Sequence, residues 1–238
     1  MRTREIIMNG TLTTELDIPR MLSLRAAAWA GIVGPVLFTV TFVALELVRG
    51  SSYDRMAETV SALEAGAHGW VQQVNFVVLG LLTIAFAVGL HRAITPSRRG
   101  VAGPLLLGFS GVAALLAAAF PVREDSAGLT YSPPGHLVAG TMFFATSALA
   151  LVVLSHRLGK DRRWSGLAGY AAVAGGIAVI EFFVMGALVI PDDAPLHDYA
   201  GLGQRLLILL VVFPCRVTLA ARMLRMTLSD PSRQAASQ

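Results

Sequence analysis

The sequence predicts an all-α fold, an integral membrane bundle of six helices, and three observations support this prediction. Six apolar runs occur, each about as long as a bilayer is thick, at 27–48, 70–90, 101–120, 136–155, 166–190 and 204–221. A helix of about 20 residues, rising about 1.5 Å per residue, crosses a hydrocarbon layer of about 30 Å. The mean hydropathy of the chain is +0.64, and its basic residues are concentrated in alternate loops.

The distribution of these basic residues also predicts the orientation of the six helices. Fifteen of the 19 Lys and Arg residues lie on one side: Arg2, Arg4, Arg20, Arg25, Arg92, Arg98, Arg99, Arg157, Lys160, Arg162, Arg163, Arg216, Arg222, Arg225 and Arg233. The other four are Arg49, Arg55, Arg123 and Arg205. Because cytoplasmic loops retain positive charge, both termini are predicted to face the cytoplasm. Arg greatly outnumbers Lys, as GC-rich codons favour, so we expect a bacterial plasma membrane (inner membrane).

The net charge of +4 and the pI of about 9.8 do not indicate nucleic-acid binding. Acidic residues are concentrated in the outer loops, so the basic inner surface follows from the topology of a membrane protein. No basic stripe with interleaved aromatic residues is present. The predicted partners are membrane lipids, together with other membrane proteins or a second copy in a homo-oligomer, and no nucleic acid.

Residues 26–225 are predicted to form one six-span transmembrane domain. The polar segment 1–25 is expected to be a loose cytoplasmic N-terminal segment, and 226–238 a flexible cytoplasmic tail. The first apolar run lacks an Ala-x-Ala cleavage pattern, so we interpret it as a retained anchor. The single cysteine, Cys215, excludes an internal disulfide and a cysteine-based metal cage.

The inner ends of the spans suggest three parallel repeats of one two-helix hairpin. Gly-x-x-Gly steps enter spans one, three and five at Gly31, Gly100 and Gly166, and spans two, four and six end at His91-Arg92, His156-Arg157 and Ala221-Arg222. The alternative is that inner helix ends generally attract Arg and that Gly is common in spans. In either case we expect Gly34, Gly103 and Gly169 to be helix contacts, because small residues let backbones approach closely.

Several short motifs resemble one family of membrane proteins. They are Tyr53-Asp54-Arg55-Met56, Val60-Ser61-Ala62-Leu63, Gly66-Ala67-His68-Gly69-Trp70, Asn75-Phe76-Val77-Val78-Leu79-Gly80, Phe120-Pro121, His136 and Gly203-Gln204-Arg205-Leu206. Over roughly 30–222 this set resembles the DUF998 family of bacterial and archaeal membrane proteins. The resemblance implies a six-span bundle and no established biochemical function.

The chain departs from the family pattern at acidic positions. The family usually has an acid directly after the Ser and a Gly after the Leu, where this chain has Ala62 and Glu64. It commonly has an Asp two residues after Phe-Pro, where this chain has Arg123. Any chemistry that the family rests on those two acids is therefore not expected here.

The polar residues of these motifs predict a site at the outer mouth of the bundle. The candidates are Ser61, Glu64, His68, Asp125, His136, His197, Asp198 and Arg205. The first outer loop, 49–69, has Met56, Val60 and Leu63 at helical spacing, which predicts a short interfacial helix over the mouth. A simple cap over the helix ends is the alternative.

Glu181 is the most informative single residue because it lies deep within an apolar run. An unpaired carboxylate there costs several kcal/mol, so Glu181 is expected to be protonated, paired or solvated. Arg205 and His136 are the expected partners. A buried polar group that fixes helix packing is the alternative to a proton-relay, substrate or catalytic role.

Metal binding has a weaker basis. His68, His136 and His197 come from one hairpin each and lie at the outer mouth, and three imidazoles with one water suit a catalytic zinc. Their offsets from the inner helix ends differ, however, so the three do not occupy equivalent positions. We therefore predict no cofactor and no metal, and keep these histidines as the only metal candidates.

Two functional hypotheses remain. The first is a non-enzymatic membrane protein, either a small transporter or a component of a membrane complex, because no P-loop, Gly-x-Ser-x-Gly or His-Glu-x-x-His motif is present. The alternative is a membrane enzyme that acts on a lipid or isoprenoid at the outer leaflet, with Glu181, His136 and Asp125 as acid or base. An enzyme needs these three around one cavity, whereas a transporter needs a polar path toward the cytoplasmic side.

Overall fold

The computed structural model of the protein describes residues 2–94, 100–125, 130–191 and 193–228, and side chains from residue 23 onward. Within this part, six helices are long and apolar enough to span a membrane, which confirms the predicted all-α six-helix bundle. The spans are Ser23–Ser52, Gly69–Ala93, Ala102–Ala119, Pro134–Gly159, Ser165–Val189 and His197–Leu228.

The helices are α1 (Arg2–Arg49), α2 (Gly69–Ala93), α3 (Ala102–Ala119), α4 (Pro134–Gly159), α5 (Ala168–Val184), α6 (Ala200–Leu206) and α7 (Phe213–Leu228). Short 3₁₀ turns occupy Gly50–Ser52, Val60–Glu64, Ser165–Leu167 and His197–Tyr199, and π-helical segments occupy Met185–Val189 and Leu207–Val212. A two-residue antiparallel pair, β1 (Arg123–Glu124) and β2 (Thr130–Tyr131), lies between α3 and α4.

Two predictions about the chain ends change in the structure. The backbone of α1 is helical from Arg2 rather than from near 27, while the looseness expected of the segment 1–25 stays a prediction. Span six is also longer than predicted, because helix continues to Leu228. The rest of the predicted tail, 229–238, lies outside the described residues.

Each end of the bundle has its own charge, which gives the names used below. The acidic end carries Ser52, Gly69, Ala119, Pro134 and Val189, and the loops there hold most of the acidic residues. The basic end carries Ala93, Ala102, Gly159, Ser165 and Leu228. Consecutive helices pack side by side, and α1 also packs on α7, so the first span closes against the last.

The outer faces of the spans are apolar, as expected where helices contact lipid. Large side chains such as Leu47, Phe183 and Leu210 are each 68% exposed. Trp70 and Tyr199 are exposed at the acidic-end starts of spans two and six, where amphipathic rings suit a membrane interface. Two clusters of buried side chains fill the interior, one centred on Phe86 and Trp164 and the other on Phe38 and Phe42.

Close backbone contacts explain some of the glycines but not all those predicted. A Cβ on Gly80 would lie 2.7 Å from the carbonyl oxygen of Gly111, and a Cβ on Gly111 equally close to that of Gly80, so α2 and α3 cross on two glycines. Gly103 and Gly34 make the predicted helix contacts, with Leu154 of α4 and Leu82 of α2. Gly169 does not, because nothing lies within 4 Å of its Cβ position.

Proline explains where spans five and six lose regular α-helix. Pro214 has no backbone N–H and its ring would collide with the carbonyl of Leu210, which lies in the π-helical segment Leu207–Val212. The segment Met185–Val189 likewise precedes Pro191, and Ile190 N donates to Met185 O at 2.8 Å. Both π-helical segments lie within candidate spans.

The first acidic-end loop packs onto the bundle rather than lying over it as a helix. Between Tyr53 and His68, regular structure occurs only as the 3₁₀ turn Val60–Glu64. Val60 and Leu63 are each 2% exposed, whereas Met56 is 43% exposed. The structure therefore agrees with a cap rather than an interfacial helix over 56–63.

Candidate functional site

The acidic end is closed by an ion pair between the first span and the last. Arg205 of α6 donates from Nε and Nη2 to Glu46 Oε1, at 3.0 and 2.7 Å. These side chains are only 11% and 7% exposed. Arg55 lies nearby, with its Nε 3.5 Å from Glu46 Oε2, but its side chain is 52% exposed. Glu46 and Arg205 therefore neutralise each other where an unpaired charge would be costly.

The other donors of Arg205 hold the first acidic-end loop. Nη1 donates to the carbonyls of Glu58 and Gly201 at 3.0 and 2.7 Å, and Nη2 donates to the Tyr53 hydroxyl. That hydroxyl donates to Thr59 O at 2.8 Å. Burial raises the pKa of Tyr53 to about 12, so the hydroxyl remains protonated and can keep donating at neutral pH.

Backbone contacts fasten the same loop to the start of span six. Leu202 N donates to Met56 O at 3.0 Å, and Gln204 Oε1 accepts from Val60 N at 2.6 Å. A Cβ on Gly201 would lie 2.2 Å from a carbonyl oxygen of the loop. Glycine at this position therefore allows the loop and α6 to meet.

A second polar group lies where the loop meets spans three and four. Glu64 Oε2 accepts from Val122 N at 3.0 Å and lies 3.4 Å from His136 Nδ1. His136 Nδ1 is closer to Phe120 O, at 3.0 Å. Within the described residues, Glu64 Oε1 is buried without a hydrogen-bond partner. These contacts bring together two of the residues predicted for the site.

Burial raises the pKa of Glu64 to about 7, although the Val122 hydrogen bond favours the ionised form and lowers it. The carboxyl group is therefore largely protonated below neutral pH in the folded protein. An unfolded Glu titrates near 4.3, so the folded state binds this proton more tightly. Stability from this group is fully present at pH values below the unfolded pKa and is lost as pH rises through about 7.

The structure does not join Glu181 to either of its expected partners. Arg205 is bonded to Glu46, and His136 Nδ1 faces Phe120 O and Glu64. Glu181 is half-buried on α5 and has no hydrogen bond or ion pair with any residue that the structure describes. The expectation that Arg205 holds Glu181 is therefore wrong. Glu46 and Glu181 lie at similar depths, so depth alone does not decide which of them pairs with Arg205. The face of span six that bears Arg205 packs toward span one.

The other predicted site residues are dispersed over the acidic end. Ser61 is buried and its Oγ lies 3.0 Å from Thr59 Oγ1. Asp125 and His68 are exposed, and His197 Nδ1 lies 3.2 Å from Val189 O. No group of three or more metal-type ligands occurs among the residues that the structure describes. His68, His136 and His197 are thus not assembled into the zinc site considered from sequence.

A cavity of about 450 Å³ opens at the acidic end between the end of span one and the start of span two. Apolar residues such as Leu45 and Leu63 line one part of it, and Arg49, His68 and Glu124 line another. Arg49 Nη2 lies 3.8 Å from Glu124 Oε1. None of Glu181, His136 and Asp125 lines this cavity, so it is not the convergent enzyme site expected from the sequence.

A third charged group lies inside the bundle. Arg216 of α7 is 2% exposed, and its Nη1 donates to Thr83 Oγ1 of α2 at 2.8 Å. Its guanidinium carbon lies 5.9 Å from the centre of the Phe213 ring. Nε and Nη2 are buried and have no hydrogen-bond partner in the described part of the chain. The sequence interpretation counted Arg216 among the basic residues at the inner side, whereas the structure buries it within the bundle.

Arg216 is far from both ends of the helices around it. Thr83 lies ten residues before Ala93 and fourteen after Gly69, which corresponds to about 15 and 21 Å along α2. Gln72, Asn75, Ser110 and Ser147 are further buried polar side chains of spans two, three and four. Polar groups thus continue from the acidic end into the interior of the bundle.

Sequence reasoning missed three important residues: Glu46, Tyr53 and Arg216. A usable signal existed for the first, because Glu46 near the end of span one and Arg205 near the start of span six are opposite charges at similar depth. For Arg216, the signal was the helical periodicity beyond 221, since a longer span six puts residue 216 well inside the bundle.

Comparison with known proteins gives a family but no activity. Neither a search of the curated proteins nor a search of the solved structures found a match. The family model described as "Protein of unknown function (DUF998)" matches residues 32–238, nearly the whole chain. The match begins within span one and includes the other five spans and every polar group described above, and the chain therefore belongs to the DUF998 family of multi-pass membrane proteins.

Proposed function

We propose that the protein is a non-enzymatic small transporter of the bacterial plasma membrane, with its basic end and both termini in the cytoplasm. The observation that carries the proposal is Arg216, a cation buried near the middle of the bundle without an acidic partner in the described chain. Charged groups inside membrane bundles are costly and are typically found on substrate or ion pathways.

The π-helical segments support the same function. Transporters commonly place their binding sites beside interrupted spans near the middle of the membrane. Here Leu207–Val212 separates Arg205 from Arg216, and Met185–Val189 forms the last turn of span five, against α6. Single π-helical turns are frequent at functional sites because they weaken the regular helical hydrogen bonding.

The closed acidic end fits an occluded state of such a transporter. Arg205 ties the loop to spans one and six, so a solute entering from this end requires these hydrogen bonds to open. The site at the outer mouth expected from the sequence would then be a gate, with Glu46 and Arg205 as its central pair. Membrane lipids, another membrane protein or a second copy would cover the apolar outer faces.

Transport is testable before the solute has been identified. Proteoliposomes on a solid-supported membrane would be challenged with a panel of small anions, cations and neutral compounds, and the current recorded. We expect a current with at least one anion, its loss in Arg216→Gln and its retention in Arg55→Leu, whose side chain is half-exposed. Currents unchanged in Arg216→Gln, or no current with any compound, would contradict the proposal.

A second candidate, a membrane enzyme acting on a lipid or isoprenoid at the outer leaflet, is favoured by one observation. The buried Glu64 carboxyl group has a pKa of about 7, which suits general acid or base chemistry, and it lies against His136. Glu181 and Asp125 would be further acids in this version. Incubation with a membrane lipid extract, followed by mass spectrometry, would show a product that His136→Gln no longer forms.

A further inference from the structure

We propose that Arg216 binds an oxyanion, a carboxylate or a phosphate group, through the edge of its guanidinium that carries Nε and Nη2. The inference rests on the proposed transport function in one respect only: it names the class of solute that the interior site would hold. The two buried nitrogen atoms without acceptors are the observation that points to a ligand.

The chain itself shows what this edge of arginine binds. Arg163 donates from Nε to Asp161 Oδ1 at 3.1 Å and from Nη2 to Asp161 Oδ2 at 2.8 Å. Arg205 uses the same two nitrogen atoms on Glu46. In both cases the Nε–Nη2 edge faces a carboxylate, and Arg222 turns the same edge to the carbonyl oxygen of Arg163, at 3.0 and 2.6 Å. In all three arginines this edge is therefore bonded to an oxygen acceptor. In Arg216 the same edge faces no oxygen atom of the described chain.

The rest of the Arg216 side chain is held in place. Nη1 donates to Thr83 Oγ1 at 2.8 Å, and the guanidinium lies over the Phe213 ring. The Nε–Nη2 edge therefore has a fixed direction in the bundle. A pre-oriented pair of parallel N–H donors is complementary to two oxygen atoms on one carbon or phosphorus atom. A spherical anion such as chloride offers one acceptor atom to both donors and therefore matches the parallel pair less well.

The carboxylates of the described bundle do not already fill this role. Glu46 is paired with Arg205 and Arg55, and Glu64 lies in the acidic-end loop with Val122 and His136. Glu181 and Asp198 are the remaining carboxylates within the described spans, and no ion pair joins either of them to Arg216. An external oxyanion is thus the group that would neutralise Arg216.

Access to this edge requires movement of span six, because both nitrogen atoms are sealed from solvent. The π-helical segment Leu207–Val212 ends three residues before Cys215 and four before Arg216. It provides a short stretch with weakened helical bonding at which α6 and α7 can change their relative angle. The structure therefore corresponds to the closed state of the site.

The direct test measures the melting temperature of the full-length protein in detergent with sodium phosphate, sodium acetate or sodium chloride at equal ionic strength. At ten times its dissociation constant, a ligand raises the melting temperature of a chain of this size by about 3 to 6 °C. We expect phosphate or acetate, and not chloride, to do so. Equal melting temperatures in the three salts would overturn the proposal without any variant.

Three variants assign the effect to the guanidinium edge. Arg216→Lys keeps the charge but not the paired donors, and Arg216→Gln removes the charge, so both should lose the preference for oxyanions. Glu181→Gln is the matched control, since it alters an ionisable side chain within a span that forms no ion pair with Arg216, and it should keep the preference. Retention of the preference in Arg216→Lys and Arg216→Gln, or its loss in Glu181→Gln alone, would overturn the assignment.

A lipid arm identifies the source of the oxyanion. Dioctanoyl phosphatidic acid would be compared with inorganic phosphate in the same melting experiment, and stabilisation by the lipid alone would identify a headgroup as the ligand. If oxyanions raise the melting temperature but no current is recorded in proteoliposomes, the oxyanion site stands and the transport proposal fails. If a cation current is recorded but no oxyanion changes the melting temperature, the transport proposal stands and the oxyanion site fails.

Discussion

Removal of Glu46 is the perturbation for which the structure gives the clearest expectation. Glu46→Leu leaves the Arg205 guanidinium, 11% exposed, without its carboxylate. Loss of one partner of a buried pair typically costs about 3–5 kcal/mol, because the other charge stays buried. Arg205→Leu should cost a similar amount, because it also removes the donors to Glu58 O, Gly201 O and the Tyr53 hydroxyl, although Glu46 keeps Arg55 at 3.5 Å. That half-exposed pair contributes at most about 1 kcal/mol.

The double variant Glu46→Leu/Arg205→Leu separates pairing from packing. It buries apolar side chains of similar size and strands no charge, so its loss should fall below the sum of the single losses by about 2–3 kcal/mol. Circular dichroism during unfolding in mixed detergent micelles measures the loss of unfolding free energy in the two single variants and the double variant. Arg55→Leu is the control. Additive single losses would refute the pairing, as would an Arg55→Leu loss as large as that of Arg205→Leu.

Three further predictions concern the loop, the helix crossing and the topology. Raising the pH from 5 to 8 should destabilise the wild type by on the order of 3 kcal/mol, because Glu64, with a folded pKa of about 7, ionises in this range. Thermal unfolding of Glu64→Gln in detergent should no longer show this pH dependence. Gly111→Ala should destabilise by about 1–3 kcal/mol, because its Cβ meets a backbone carbonyl of α2. Gly176→Ala, with nothing within 4 Å, should be neutral or stabilise by up to about 1 kcal/mol. In intact bacterial cells, an impermeant thiol reagent should label a cysteine at Asp193 but not at Lys160.

Each of these has a result that would contradict it. A pH profile identical in wild type and Glu64→Gln would show that the carboxyl group titrates as in the unfolded chain. Equal melting of Gly111→Ala and Gly176→Ala would remove the close crossing of α2 and α3. Labelling of a cysteine at position 160 from outside would show that the orientation is the reverse of the one predicted. Cys215→Ala provides the cysteine-free background, and Cys215 is fully buried in the bundle.

The spans could be predicted from the sequence because a bilayer-length apolar run is a local property. The same is true of their order and of the polar acidic-end loops. Span six was predicted too short, since polar residues such as Arg222 hide a helix that continues to Leu228. Gly169 shows a related limit: a repeated Gly-x-x-Gly step does not reveal whether another helix packs on it.

The pairing of charges could not be obtained in the same way. Glu46 and Arg205 are far apart in the chain, and Glu181 was an equally reasonable partner for Arg205 by depth and chemistry. Only the packing of α1 against the last span selects Glu46. The burial of Glu64 and Arg216 likewise depends on which helix faces come together, which periodicity within one helix does not specify.

The pairing of the first span with the last has a consequence for biosynthesis. Glu46 and Arg205 are separated by 159 residues. At about 5–20 residues per second of synthesis, the ribosome completes Glu46 roughly 8 to 32 seconds before Arg205. During that interval span one enters the membrane with an acid whose buried partner does not yet exist. We therefore expect the ring of helices to close only when span six, the last to be made, delivers its arginine.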